Sequence, residues 1–303
     1  MGQVPVLGWP SLMIVVRLFG GLGNQMFQYA AARRAAMTRG VPLRLDLSAF
    51  GPGSLRTYAL SGLRVDAEIA SPDTLLAVHG PSTRPAKYLH RLRRRWRIGY
   101  PWTWLQESWL SSVDPRVMAP PLHSVLEGYW QSEQYFIDIA DTIRREFVVA
   151  TLRGPRALAL AAQMTGIDAV SLHIRRGDYV TNPQTNAAHG TCSIDYYQQC
   201  AALVAAKVRQ PHFFLFSDDP QWVAANLVLD HPMTLVSDPS LSEYDDLRLM
   251  SSCRHHIIAN SSFSWWGAWL NPSPDKIVLA PARWGSDSRW NDRDLIPPGW
   301  IRR

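Results

Sequence analysis

The sequence predicts an α/β protein in which two Rossmann-like domains face each other across a cleft. Three observations carry this. Short β-branched runs alternate with helical patterns near both ends of the chain. The apolar runs lead directly into glycine or polar clusters, and open parallel sheets bind ligands at the carboxyl ends of their strands. The chain has 303 residues, and at about 150 residues per domain it has room for two such units. The expected boundaries are 1–150 and 151–303.

The elements follow in order. LMIVVRL (residues 12–18) reads as a buried strand, and GGLGN punctuates it. A helix follows with Met26, Tyr29 and Ala30 on one face and Gly40 as its stop. VPLRLDL is a second strand, which completes a β-loop-α-β unit and predicts a parallel sheet. Beyond residue 50 the rhythm weakens: GPGSLRTYAL is a loop, and DTLLAV and FIDIADTIRREFV read as helices. The basic, tryptophan-rich run at 91–110 gives no element assignment. From residue 151 a helix leads into five expected strands, AVSLHI, HFFLFS, MTLV, HHIIAN and KIVLA, with helices between them.

Composition narrows the function. Apolar residues make up 47% and charged residues 18%, which excludes collagen-like, coiled-coil and disordered chains. A net charge of +6 favours an anionic partner: a nucleic acid, a phosphorylated ligand or an acidic membrane surface. Much of the excess lies in HRLRRRWR (90–97), either a solvated basic face or a surface for nucleic acid or membrane. The three cysteines, Cys192, Cys200 and Cys253, form no C-x-x-C pair, so reduced cytoplasmic thiols are expected rather than a disulfide scaffold or zinc ribbon. The first apolar stretch is interrupted by Arg17 and is too short to span a bilayer. It also lacks the features of a secretion signal. Residues 1–12 read as an irregular leader, with Met13 an alternative start.

Four clusters carry chemistry. GGLGNQ (20–25) is a glycine turn into a helix, where Gly21 and Gly23 allow close approach and free N–H groups suit an anion. It matches neither a dinucleotide fingerprint nor a P-loop. A plain strand–helix turn is the alternative. In HIRRGDY, His173 and Arg175 share one strand face and Arg176 points the other way if the strand persists. An arginine there can grip a phosphate in two places, with Asp178 orienting it. An ordinary surface ion-pair network is the alternative. The RGD tripeptide is discounted as an adhesion motif. Ser217, Asp218 and Asp219 end a strand; the acids can hold a metal, accept hydrogen bonds from a guanine edge or a ribose, or cap the helix at Pro220. Asn260, Ser261, Ser262 and Phe263 open a helix whose N-terminus suits a phosphate. On it, Phe263, Trp266 and Trp269 form a core stripe, and Trp265 falls off the stripe towards the cleft. His189 and Glu133 stand alone as acid–base candidates, and Asp292 and Asp294 form a weak metal-type pair.

GGLGNQMFQYA, HIRRGDYV, FSDD and NSSFSWWGAWL, in this order, resemble the α-1,2-fucosyltransferases, especially the short bacterial members. SLRTYAL after the second strand fits as well. The resemblance implies a GT-B-like fold, with the first domain on the acceptor side and the second binding the nucleotide sugar. It implies fucosyl transfer from GDP-fucose to the 2-hydroxyl of a galactose in a glycan, with inversion and no metal requirement. It places Arg175 on the β-phosphate, Asn24 near the fucose, and Asp218 with residues 260–262 along the nucleotide. The general base stays open between His189, Asp178 and Glu133. A transferase using another sugar nucleotide is the near alternative. A nucleic-acid or membrane-surface binding protein is the distant one. Within the enzyme reading, residues 90–110 are expected to hold a cytoplasmic protein peripherally at the membrane.

Overall fold

The computed structural model describes residues 12–80, 92, 102–108, 113–149, 151–152, 154–183, 186–187, 190–286 and 292–303. Its first sheet has the order β3-β2-β1-β5-β4, all parallel: β1 (Met13–Arg17), β2 (Leu43–Asp46), β3 (Glu68–Ile69), β4 (Thr103–Gln106) and β5 (His123–Glu127). The second has the order β11-β10-β9-β6-β7-β8, also all parallel: β6 (Asp168–Ile174), β7 (Pro211–Ser217), β8 (Met233–Leu235), β9 (His255–Ile257), β10 (Val278–Ala280) and β11 (Ile301–Arg302). The chain finishes the first sheet before it starts the second. Two Rossmann-like units result, as the strand–helix alternation predicts.

The second sheet has six strands, not the expected five. The two-residue β11 is too short to leave a periodic signal, and its pairing with β10 defines it. β4 lies in the run that gave no assignment, and β5 in HSVLE went unread.

The α-helices that lie in full among the described residues are α1 (Leu22–Arg39), α2 (Pro72–His79), α3 (Pro115–Met118), α4 (Ala140–Glu146), α5 (Gly154–Met164), α6 (Gly177–Thr181), α7 (Ile194–Ala205), α8 (Pro220–Asn226), α9 (Glu243–Ser252) and α10 (Ser262–Leu270). α1 stops at Gly40, whose left-handed backbone (φ 64°) turns its N–H back onto the carbonyls of Ala36 and Met37. α9 starts with a capping box between Ser242 and Asp245.

The core of the first unit is completed by the second. Phe27 of α1 meets Trp265 and Trp266 of α10 at ring-centroid distances of 4.5 and 4.9 Å. Phe136 stacks on Trp266 at 5.3 Å. Trp265 therefore does not face the cleft. It is fully buried, and its indole N–H donates to the Leu295 carbonyl at 2.9 Å. A single apolar stripe is the wrong expectation for a helix covered on several sides.

The helix N-termini of α1 and α10 touch at Gly23. A Cβ on Gly23 would lie 2.6 Å from both the Phe263 nitrogen and the Ser262 carbonyl carbon. The Trp266 indole N–H locks the contact by donating to the Gly23 carbonyl at 3.0 Å. Gly23→Ala is expected to destabilise the protein by about 1–3 kcal/mol through overpacking against backbone. Gly21→Ala, with nothing within 4 Å of the new methyl, should change little. Thermal unfolding compares the two; equal melting temperatures would contradict the contact.

Candidate active site

β6 is the apolar centre of the second sheet, with β7 and β9 on either side. The strand ends at Ile174, so Arg175 and Arg176 leave the sheet before strand alternation can set their directions. The Arg175 guanidinium is held by two carboxylates: Nη2 reaches Asp178 Oδ1 at 2.6 Å and Nη1 reaches Asp218 Oδ2 at 3.0 Å. Asp178 and Asp218 thus hold Arg175 from two sides. Arg176 goes elsewhere. It lies over the Trp222 ring at 3.6 Å and pairs with Asp219 at 3.3 Å.

Asp218 also accepts the Arg176 backbone N–H at 2.8 Å. This explains the glycine that follows, since a Cβ on Gly177 would sit 2.5 Å from an Asp218 oxygen. Asp219 is the helix cap, accepting the Trp222 N–H at 3.2 Å. Ser217 supports the turn: its hydroxyl accepts the Asp219 N–H at 3.0 Å. Both acids are engaged with arginines and backbone N–H groups.

The α10 end faces this cluster from the neighbouring strand. The Ser262 hydroxyl donates to Asn24 Oδ1 at 2.8 Å, and Gln131 Nε2 donates to the same oxygen at 2.9 Å. Asn24 therefore joins β5's extension, α1 and α10 at one point. Ser261 is the α10 N-cap, and its side chain makes no capping bond. Asn260 is buried, and its amide donates to the Gly190 and Trp284 carbonyls at 3.3 Å each, so its side chain braces two loops. Phe263 packs 6.0 Å from the His173 ring. Burial, with Arg175 adding to it, pushes His173 down to about 3, so the ring is neutral.

The remaining candidates scatter. His189 lies outside the described residues, as does most of 90–110. Glu133 accepts the Trp269 indole N–H at 2.9 Å, a packing contact. Asp292 accepts the Trp284 N–H at 2.8 Å, and Asp294 accepts the Val113 N–H at 3.1 Å. Among the described residues no three His, Cys, Asp or Glu side chains group as metal ligands. No helix among them is long and apolar enough to cross a membrane.

Several groups at the site escaped sequence reasoning. Arg56, from the loop after β2, donates to Asp178 Oδ2 at 2.8 Å. In-register pairing aligns Asp46, Arg17, Glu127 and Gln106 along the carboxyl edge of the first sheet. Arg17 pairs with Glu127, and Phe19 meets Tyr129 edge-on at 4.9 Å beyond them. Polar residues at strand ends were the available signal, but β4 and β5 had to be recognised first.

Two parallel-sheet units meet where the N-termini of α1 and α10 touch, and a clamped arginine stands at the carboxyl end of the second unit's central strand, an architecture shared with glycosyltransferases. The profile of glycosyl transferase family 11 matches residues 105–303, and the chain belongs to that family. The α-1,2-colitosyltransferase of Escherichia coli is 30% identical over 293 residues, covering 96% of this chain and 98% of that one. The galactoside 2-α-L-fucosyltransferase Sec1 of Mus musculus is 25% identical over 276 residues, covering 88% and 67%. The fold matches a mutant of Arabidopsis thaliana FUT1 solved with GDP, with TM-score 0.53 and 10% identity over 94% of this chain and 74% of that one. This agrees with the expected GT-B-like architecture.

The depressed His173 has a consequence for stability. The unfolded chain takes up the proton near pH 6.5, whereas the folded ring resists it down to about 3. The neutral site is therefore fully compatible with folding above pH 6.5, and stability falls as pH drops below it. His173→Gln should remove about 2 kcal/mol of the loss between pH 7 and pH 5, read by urea unfolding at the two values. An unchanged pH dependence would mean that the ring ionises in the fold.

Proposed function

We propose that the protein transfers L-fucose from GDP-fucose to the 2-hydroxyl of a terminal galactose, with inversion at the anomeric carbon and without a divalent cation. The product belongs to a surface polysaccharide or its lipid-linked precursor. The observation that carries this reading is the Arg175 guanidinium, clamped by Asp178 and Asp218 at the carboxyl end of the central strand.

The chemistry follows from that placement. The acceptor hydroxyl attacks the anomeric carbon and loses its proton, the bond to the β-phosphate oxygen breaks, and the electron pair leaves with GDP. Negative charge grows on the diphosphate. A preorganised arginine stabilises that charge more in the transition state than in the ground state. The α10 N-terminus adds its partial positive charge. These groups supply what a metal ion supplies in other transferases. On the acceptor side, the sugar meets the polar edge formed by Arg17, Glu127 and Gln106, with Phe19 and Tyr129 offering ring surface.

A second reading replaces fucose by colitose, its 3-deoxy counterpart, and is favoured by the similarity to the E. coli α-1,2-colitosyltransferase. The two readings share the nucleotide, the phosphate site and the inverting attack. They part at the pocket for the 3-hydroxyl.

Calorimetric titration in EDTA with GDP, GDP-fucose, GDP-mannose and UDP-galactose tests the donor. Selective binding of GDP and GDP-fucose is expected; no nucleotide binding would overturn the proposal. Transfer assays with GDP-fucose against GDP-colitose then decide the sugar. Strict dependence on manganese would refute metal-free transfer. Arg175→Ala should reduce kcat roughly 10²–10³-fold while the fold survives. Arg175→Lys should also be poor, because an ammonium has no two-pronged fork. Full activity in either well-folded variant would refute the phosphate clamp.

A further inference from the structure

We infer that Arg56, supplied by the first sheet, binds the donor diphosphate across the cleft. This rests on the guanine-nucleotide reading above and extends it to a residue outside the second sheet.

Asp178 is shared by two guanidinium groups. One oxygen accepts from Arg175 at 2.6 Å and the other from Arg56 at 2.8 Å. The backbone beside Arg56 is fixed. Gln25 Nε2 donates to the Thr57 carbonyl at 2.8 Å, and Gln25 Oε1 accepts the Ala59 N–H at 2.8 Å. The Tyr244 hydroxyl, from the second unit, donates to the Ala59 carbonyl at 2.8 Å. The Arg56 side chain itself is 47% exposed. A firm loop thus presents a long, half-exposed cation to the phosphate site.

Charge bookkeeping decides what that cation does. Arg56, Arg175 and Arg176 are met by Asp178, Asp218 and Asp219, with Glu243 also in electrostatic reach of Arg56. Asp178, Asp218 and Asp219 alone already match the three guanidinium charges, so a diphosphate is best met by an arginine that can change partner. Arg176 is pinned between Trp222 and Asp219, and Arg175, fixed by two carboxylates, can meet the diphosphate only with the N–H groups they leave over. Arg56 is joined to a carboxylate that is itself 37% exposed. Ion pairs exposed to water contribute little. A phosphate offers the guanidinium fork stronger, charge-assisted bonds. The donor therefore draws Arg56 from Asp178 onto the diphosphate, and Asp178 keeps Arg175 aimed.

Calorimetry with GDP and with guanosine, on wild type, Arg56→Gln and Arg56→Lys, tests this. Arg56→Gln should bind GDP about tenfold more weakly and guanosine as wild type does. Arg56→Lys should fall between, retaining charge but not the fork. Unchanged GDP binding by Arg56→Gln, or an equal loss for GDP and guanosine, would overturn the assignment, the latter marking a merely structural role. Wild-type protein that binds no GDP would overturn the nucleotide reading and Arg56 with it. GDP binding by wild type with an indifferent variant would remove Arg56 alone.

Discussion

The approach of α1 to α10 at Gly23 is the constraint on which the rest of the structure depends. Only a residue without a side chain lets these helix ends meet backbone to backbone. Once they meet, Asn24, Ser262 and Gln131 share a hydrogen-bonded junction, and the tryptophans of α10 enter the first core. Both helix starts then lie side by side. The junction is thus a product of packing between the halves rather than a property of either.

The second theme is compensation. A strand end carrying adjacent arginines invites repulsion, and the structure answers with three aspartates that assign each guanidinium a place. Arg175 is aimed by two of them, while Arg176 is turned away onto an indole face. Adjacent residues of one type thus have separate tasks, because β6 ends before alternation can decide their directions. At 177 any side chain would have to displace the Asp218 carboxylate.

Much of this was legible in the sequence. The clusters after β1, β6, β7 and β9 are recognisable because parallel strands are apolar along their length and polar chemistry begins where they stop. Trp265 misled because periodicity assumes a single buried face, and α10 has several. Glu133, Asp292 and Asp294 resemble functional acids in one dimension, and only folding reveals the indole and backbone N–H groups they satisfy. Arg56 and the Arg17–Glu127 pair were hidden for a different reason. Their partners lie over a hundred residues away in the chain, and no local pattern encodes such a meeting.

The sharing of α10 has a bearing on biogenesis. The strands of the first unit are complete at Glu127, yet the tryptophans that cover Phe27 and Phe136 arrive only after Ser262. At synthesis rates of about 5–20 residues per second, the ribosome needs roughly 7–27 seconds to bridge that gap. Throughout that interval the nascent first unit presents unfilled aromatic surface, an opening for chaperones and for premature association alike. The helix that builds the cleft also sets the moment at which the nascent chain can bury that surface.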